Sequence, residues 1–163
     1  MTTPTVAAKL ASSSAVQMAQ YVMPSDANTL GTAFGGRVVQ WIDLAAAVAA
    51  RRHARVTCVT ISIDQLSFLA PLRIGQVALL EAHVNAVFGS SMEIEVQVDA
   101  EDLDSGEKIR CCNAFLTFVA LGADGKPVKA PALLAATEDQ ARRAREAEAR
   151  RRARLDALGG RPG

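Results

Sequence analysis

The sequence predicts an α+β protein: one long central helix wrapped by an antiparallel β-sheet, plus a C-terminal Arg/Ala-rich helix. Three observations predict it. Between Gly35 and Arg52 the apolar residues Val38, Val39, Ile42, Ala45, Ala46 and Ala49 recur at three and four residues, which makes one helical stripe. Four strand-like segments follow at regular intervals, separated by turns rich in Gly, Pro, Asp and Ser. Beyond Pro131 the composition changes to Ala, Arg and Glu in a helical pattern. A helix followed by a run of strands is the α+β arrangement. The chain divides accordingly into a flexible N-terminus over 1–15, a folded domain over 16–131, and a charged helix and tail over 132–163.

The elements follow in order. Residues 1–15 are small and polar, so a flexible segment is expected. A first strand runs through Val16–Val22. Pro24 then blocks helix, and Asp26, Asn28 and Gly31 are loop residues. The helix, Gly35 to Arg52, is about 25 Å long, which suits a core helix and not a membrane span. In the strand Val56–Phe68, alternation groups Thr57, Val59, Ile61 and Ile63 against Cys58, Thr60, Ser62 and Asp64. Its polar face suggests solvent, a ligand groove or a partner subunit. Pro71 and Gly75 mark a turn before the strand Gln76–Val87, and Gly89-Ser90-Ser91 makes the next turn. Met92, Ile94, Val96 and Val98 then face inward, with Glu93, Glu95, Gln97 and Asp99 towards water. Asp104-Ser105-Gly106 turns again, Lys108–Leu121 closes the sheet, and Asp124-Gly125 ends it.

Thr137 with Gln140 forms a capping-box pattern that opens the last helix. The pairs Glu138–Arg142, Glu146–Arg150 and Glu148–Arg152 support it at four-residue spacing. With little apolar surface beyond alanine it reads as a solvated terminal helix. An anionic-ligand patch and an intersubunit contact are the alternatives. No aromatic residue interleaves the arginines, so nucleic acid is not an expected partner.

A chain of 163 residues is long enough for one domain with a sizeable core, and its formal charge of +1 favours no class of partner. Three cysteines, two of them adjacent, make no disulfide framework; reduced thiols in a cytoplasmic protein are expected. With two histidines and no C-x-x-C there is no zinc set, so no metal is expected. No leader-like or membrane-spanning apolar run occurs, and no membrane association is expected. Nor is there a G-x-S-x-G elbow, a P-loop or a G-x-G-x-x-G. His53 and His83 lie in no nucleophile constellation and read as structural or exposed.

What chemistry the chain has gathers around its first helix. Asp43 is the only charge between Arg37 and Arg51, and a carboxylate on a mostly buried helix is costly unless paired, solvated or used. The start of that helix is electropositive, and glycines at Gly35 and Gly36 let a substrate carbonyl approach its N–H groups. Asp43 follows Gly36 by about 10 Å along the axis, which leaves room for a reacting group and a water. Each feature alone has a plainer reading: a tight turn for the glycines, a solvent-facing position for Asp43, a turn residue for Asn28.

Together, Asp26, Asn28, Gly31, Phe34, Gly35, Gly36 and Asp43 resemble the signature D-x-N-x-x-G-x-x-F/H-G-G, six residues, then Asp or Glu, of the hotdog-fold acyl-CoA thioesterases. These include bacterial short- and medium-chain enzymes and the cytosolic acyl-CoA hydrolases of animals. The resemblance continues through Ser67–Val77, Phe88–Val98 and Asn113–Pro127, and covers about Val16 to Pro131. It implies hydrolysis of fatty acyl-CoA to free fatty acid and CoA, with no cofactor beyond the CoA of the substrate. Asp43 would be general base or nucleophile, and Gly36 with Gly35 the oxyanion hole. Asn28 would come from the opposite subunit, and Thr60 would hold the water. Phe34, Gly89, Ser90 and Ser91 would be substrate contacts. The resemblance also implies a homodimer at minimum, with a hexamer as trimer of dimers open. A hotdog dehydratase would use a histidine near the helix start, where none lies. An acyl-CoA-binding module would not need Asp43 and Asn28 at this spacing.

Overall fold

The computed structural model describes residues 7–159. Its elements run β1 (Lys9–Leu10), β2 (Val16–Tyr21), α1 (Gly35–Ala54), β3 (Thr57–Phe68), β4 (Val77–Phe88), β5 (Ser91–Glu101), β6 (Lys108–Leu121), β7 (Leu133–Leu134) and α2 (Glu138–Gly159). Five strands form one antiparallel sheet in the order β2-β4-β5-β6-β3, so β2 and β3 are its edges. Helix α1 lies across the inner face, and α2 lies on the outer one. This is the expected α+β architecture. Neither described helix is long and apolar enough to cross a membrane.

The apolar stripe of α1 makes the core. Val38, Trp41, Ile42, Ala45, Ala46, Ala49 and Ala50 are buried against Ile94, Val96, Val98, Leu116 and Phe118 of the sheet. Alanine on this face brings the helix close to a flat wall of branched side chains. The helix runs to Ala54, two residues beyond the expected Arg52, because Arg55 supplies a left-handed cap at φ 60°. Its N–H donates to the Arg51 carbonyl at 2.8 Å.

The segment expected as a flexible N-terminus is structured from Lys9 to Ser14; residues 1–6 lie outside the described residues. β1 pairs parallel with β7, and Ala11 and Ser14 are buried. Lys9 Nζ donates to the His53 carbonyl at 2.7 Å, and Arg52 donates to the Ala15 carbonyl at 2.7 Å. The Lys9 ammonium thus sits on the carbonyl end of α1, where cations are favoured. His53 is fully buried, with Nε2 at 2.8 Å from the Pro131 carbonyl. Burial holds its pKa below the ordinary value, against the pull of that carbonyl.

Two expectations about faces need correction. In β3 the register slips between Thr60 and Ser62 and again between Ile63 and Gln65. Each bulge inserts one residue and reverses the faces that follow. Thr60 therefore points to α1, whereas Ser62 and Asp64 point to α2, although strict alternation groups all three. In β5, Glu93 and Glu95 do not face water: they are 1% and 6% exposed. Helix α2 covers them.

That helix is no solvated tail. Arg143, Ala147, Arg150 and Arg154 form one stripe on the sheet, and Ala147 is fully buried. Arg150 donates to both oxygens of Glu93, at 2.7 and 3.1 Å, and stacks 3.8 Å from the Phe115 ring centroid. Arg154 donates to Asp64 and to Thr117, both at 2.8 Å. Arg143 lies 2.6 Å from His83 Nε2, which is also 3.3 Å from Glu95; that nitrogen serves one of them at a time. Burial pushes the Glu95 carboxyl up, but hydrogen bonds with His83, Asn85 and Gln97 outweigh it and hold the pKa at about 2. The expected pair Glu146–Arg150 is therefore replaced: Arg150 goes to the sheet, and Glu146 takes Arg142 at 2.7 Å. Arg145, not Arg142, reaches Glu138 at 3.1 Å. The cap is half the expected box. Gln140 N donates to Thr137 Oγ1 at 3.2 Å, but Gln140 Oε1 accepts from Ala136 rather than Thr137.

Candidate active site

The loop before α1 is built to present the helix start. Asp26 is buried; its side chain accepts from Met23 N–H at 2.9 Å and pairs with Arg37 at 3.1 Å. Its carbonyl accepts the Phe34 N–H at 2.9 Å. One aspartate thus ties both ends of the loop to the first turn of the helix. Between them, Asn28 Oδ1 accepts from the N–H groups of Leu30 (2.9 Å) and Thr32 (3.3 Å). Gly31, at φ +74°, makes the left-handed turn this closure needs.

At the helix start, Phe34 provides no side-chain cap. The N–H groups of Arg37 and Val38 turn back to the Phe34 carbonyl, while those of Gly35 and Gly36 have no acceptor among the described residues. Both glycines are exposed. Two free donors at the positive end of a twenty-residue helix make a ready site for an anionic oxygen. Phe68, ending β3, stands over Gly35: a Cβ added there would meet its ring at 3.5 Å. At Gly36 an added Cβ meets nothing within 4 Å. A cavity of about 390 Å³ opens beside the helix start, lined by Thr32, Gly35, Val38, Phe68, Cys111 and Cys112 among others. All three cysteines are free, and burial raises the pKa of each thiol, which keeps them protonated.

Further along α1, Asp43 is half-buried and accepts a 2.6 Å hydrogen bond at Oδ1 from the Thr60 hydroxyl. The bulge after Thr60 allows this: Thr60 faces the helix, and the next paired residue, Ser62, faces away. The hydroxyl fixes one carboxylate oxygen and leaves Oδ2 without a partner among the described residues.

Of the residues singled out from the sequence, the structure joins Asp43 with Thr60 and places Phe34, Gly35 and Gly36 together at the helix start. It does not bring Asn28 to Asp43 within one chain, since its side chain is engaged in its own loop. Gly89, Ser90 and Ser91 form the β4–β5 hairpin. Ser91 is level with Val59 but two strands from β3, and the buried Met92 beside it fixes its side chain to the outer face. Within one chain these three lie apart from Asp43. Phe68 as a wall and Arg37 as the partner of Asp26 were not foreseen. An aromatic ending a strand and an arginine just after the glycines were the available signals. Among the described residues no group of three His, Cys, Asp or Glu could hold a metal ion.

A family model for the thioesterase superfamily matches residues 30–107, from the signature loop through β5. The uncharacterized acyl-CoA thioester hydrolase YkhA of Bacillus subtilis is 42% identical over 119 residues, covering 73% of this chain and 69% of that protein. The chain belongs to the hotdog-fold acyl-CoA thioesterase family. The crystal structure of an apo-hexameric acyl-CoA thioesterase matches with a TM-score of 0.91 at 35% identity, over 96% of this chain and all of that one. An acyl-CoA hydrolase from Staphylococcus aureus, solved with butyryl-CoA, CoA and CoA disulfide, matches with a TM-score of 0.86 at 32% identity. That match covers 92% of both chains. The chain spans only about a quarter of the rodent thioesterases it also matches. On the first helix, the free N–H groups of Gly35 and Gly36 and the anchored carboxylate of Asp43 stand beside an apolar stripe.

The glycines allow a clean separation of structure from function. Gly36→Ala meets no obstruction and improves helix propensity, so stability should hold or rise by up to about 1 kcal/mol. If a substrate oxygen approaches this backbone, the methyl group should cut kcat/KM by about tenfold or more. Thermal unfolding beside steady-state kinetics checks both; an unimpaired Gly36→Ala variant would exclude a substrate oxygen at this backbone.

Proposed function

We propose that the protein hydrolyses fatty acyl-CoA thioesters to free fatty acid and CoA. The observation that carries this reading is the 2.6 Å bond that fixes the Asp43 carboxylate on a helix whose start offers two uncapped N–H groups. A thioester carbonyl needs little activation. Asp43 either takes a proton from water as the water attacks, or attacks the carbonyl carbon itself and is then released by water. In both routes the carbonyl oxygen becomes an oxyanion, and the C–S bond breaks to release the CoA thiolate, which takes up a proton. Gly36 N–H, with Gly35 beside it, stabilises that oxyanion, and Thr60 orients Asp43. Phe34 and Phe68 flank the place where the acyl group enters.

The unit is a homodimer at minimum. β3 is an unpaired edge carrying the exposed side chains Val59, Ile61 and Ile63, an arrangement that invites a second strand. In this reading Asn28 reaches the site from the second copy, and Gly89, Ser90 and Ser91 contact CoA along the subunit boundary. A trimer of such dimers would make a hexamer, the state named for the apo thioesterase structure above. The enzyme works in the cytoplasm, needs no cofactor beyond the CoA of its substrate, and engages neither nucleic acid nor membrane.

The test is thiol release from acyl-CoAs of graded length, acetyl to palmitoyl, followed with a thiol-reactive dye. Saturable release at one or more lengths is expected, and the maximum gives the chain preference. Tight binding of the same esters with no release would make the protein a binding module instead.

A further inference from the structure

We propose that the cavity beside the start of α1 takes the acyl chain of the substrate, and that its depth makes medium-chain esters the preferred class. This rests on the hydrolase reading above and names its substrate more closely. Gly36 and Asp43 are two helical turns apart and share nearly one line along α1. Gly35 is turned about 100° from Gly36, on the way round the helix to Val38. Gly35 and Val38 line the cavity, whereas Gly36 and Asp43 do not. A carbonyl held on the line of Gly36 and Asp43 therefore has the cavity at its side. Phe68 stands over the passage, against Gly35.

The wall suits hydrocarbon and little else. Among the described residues no charged side chain lines it. Val38, Leu72 and Cys112 close it on the core side and are buried, while Phe68 and Leu69 are more than half exposed. Cys111 and Cys112 are free thiols and act as small apolar groups. The backbone of the wall is already engaged. Ala33 N–H donates to the Leu72 carbonyl, those of Leu69 and Ala70 donate to the Cys111 carbonyl, and Pro71 has none. The Thr32 hydroxyl is taken up by Asn28. CoA phosphates would find no counter-charge here, and the amides of the pantetheine arm would lose water without gaining partners. An acyl chain asks for neither. Gly35 keeps its N–H unpaired at the helix start, where the carbonyl oxygen is placed in the proposed reaction. The cavity measures about 390 Å³. At about 30 Å³ for a methylene-sized group, the share one water takes in the liquid, that is room for about a dozen carbons. A longer chain must leave its remaining carbons outside.

Steady-state hydrolysis of butyryl-, octanoyl-, dodecanoyl- and palmitoyl-CoA, each below its micelle concentration, tests this. In wild type, kcat/KM should rise about tenfold or more from butyryl to dodecanoyl, as each buried methylene adds to binding, and gain nothing at palmitoyl. Val38→Phe fills the cavity from the core side and should cut the dodecanoyl-to-butyryl ratio about tenfold or more. If that variant does not fold, Ala70→Leu decides: it adds bulk at a half-buried wall position, and a smaller drop in the same ratio is expected. A folded variant with the wild-type ratio overturns the cavity as the acyl site and leaves the hydrolase reading standing. A wild-type preference for palmitoyl overturns the length limit in the same way. A wild-type protein that releases thiol from none of the esters overturns the hydrolase reading itself, and this one with it.

Discussion

Asp43→Asn should lower kcat/KM by about a hundredfold to ten-thousandfold while the protein still folds. Asparagine keeps the shape of the side chain and still accepts a hydrogen bond from Thr60. It can neither take a proton from water at neutral pH nor attack a carbonyl. Asp43 is half-buried and makes no ion pair among the described residues, so its charge contributes little to the fold. Substrate binding should survive, and the loss should appear in kcat. Thr60→Val should act in the same direction but less strongly, because it frees the carboxylate without removing it, and Thr60→Ser should restore most of the activity. Kinetics on the preferred acyl-CoA, with unfolding curves of each variant, checks this. Near-full activity in Asp43→Asn would exclude Asp43 as base and as nucleophile alike.

How far such a site is legible in a sequence depends on the range over which its residues act. The start of α1 falls at Gly35 and β6 spans Lys108–Leu121, both as read from periodicity and turn residues. Those signals are local. The faces of β3 depart from strict alternation because a bulge is a property of two paired strands. Nothing within Val56–Phe68 announces that Ile61 is the extra residue. Glu93 and Glu95 look like water-facing positions because their cover lies some 50 residues downstream. A hint was present nonetheless: acids at alternate strand positions, and arginines at 143, 150 and 154 on one side of a later helix. Pairing at four-residue spacing within that helix competed for the same arginines, and the sheet took Arg150. For the site, Asp43 and the glycine pair carry their own physical argument. Thr60, seventeen residues from Asp43, entered only through family resemblance, and the structure now gives it a hydrogen bond.

Arg150→Ala should destabilise the fold by about 3–5 kcal/mol. Glu93 is 1% exposed and rests on three hydrogen bonds, two from Arg150 and one from Asn85 at 3.1 Å. Burying that carboxylate is offset mainly by the bidentate guanidinium, which meets it at fixed geometry. Removing the arginine leaves a charge in a dry environment with one amide donor, and also removes the stacking on Phe115. The loss is a large share of a stability of about 5–15 kcal/mol, on the order of 10 °C in Tm for a chain of this length. Arg142→Ala, on the exposed side of α2, should change nothing measurable, since its partners Asp139 and Glu146 stay in water. The double variant Arg150→Met/Glu93→Leu should recover much of the loss, because it removes the buried charge together with its partner. Thermal unfolding at one fixed protein concentration ranks the three, which keeps association from shifting the comparison. Equal behaviour of Arg150→Ala and Arg142→Ala would mean that α2 rests on the sheet without supporting it. The expected order would instead show a helix held by charge, whose anchoring keeps the outer face of the sheet dry.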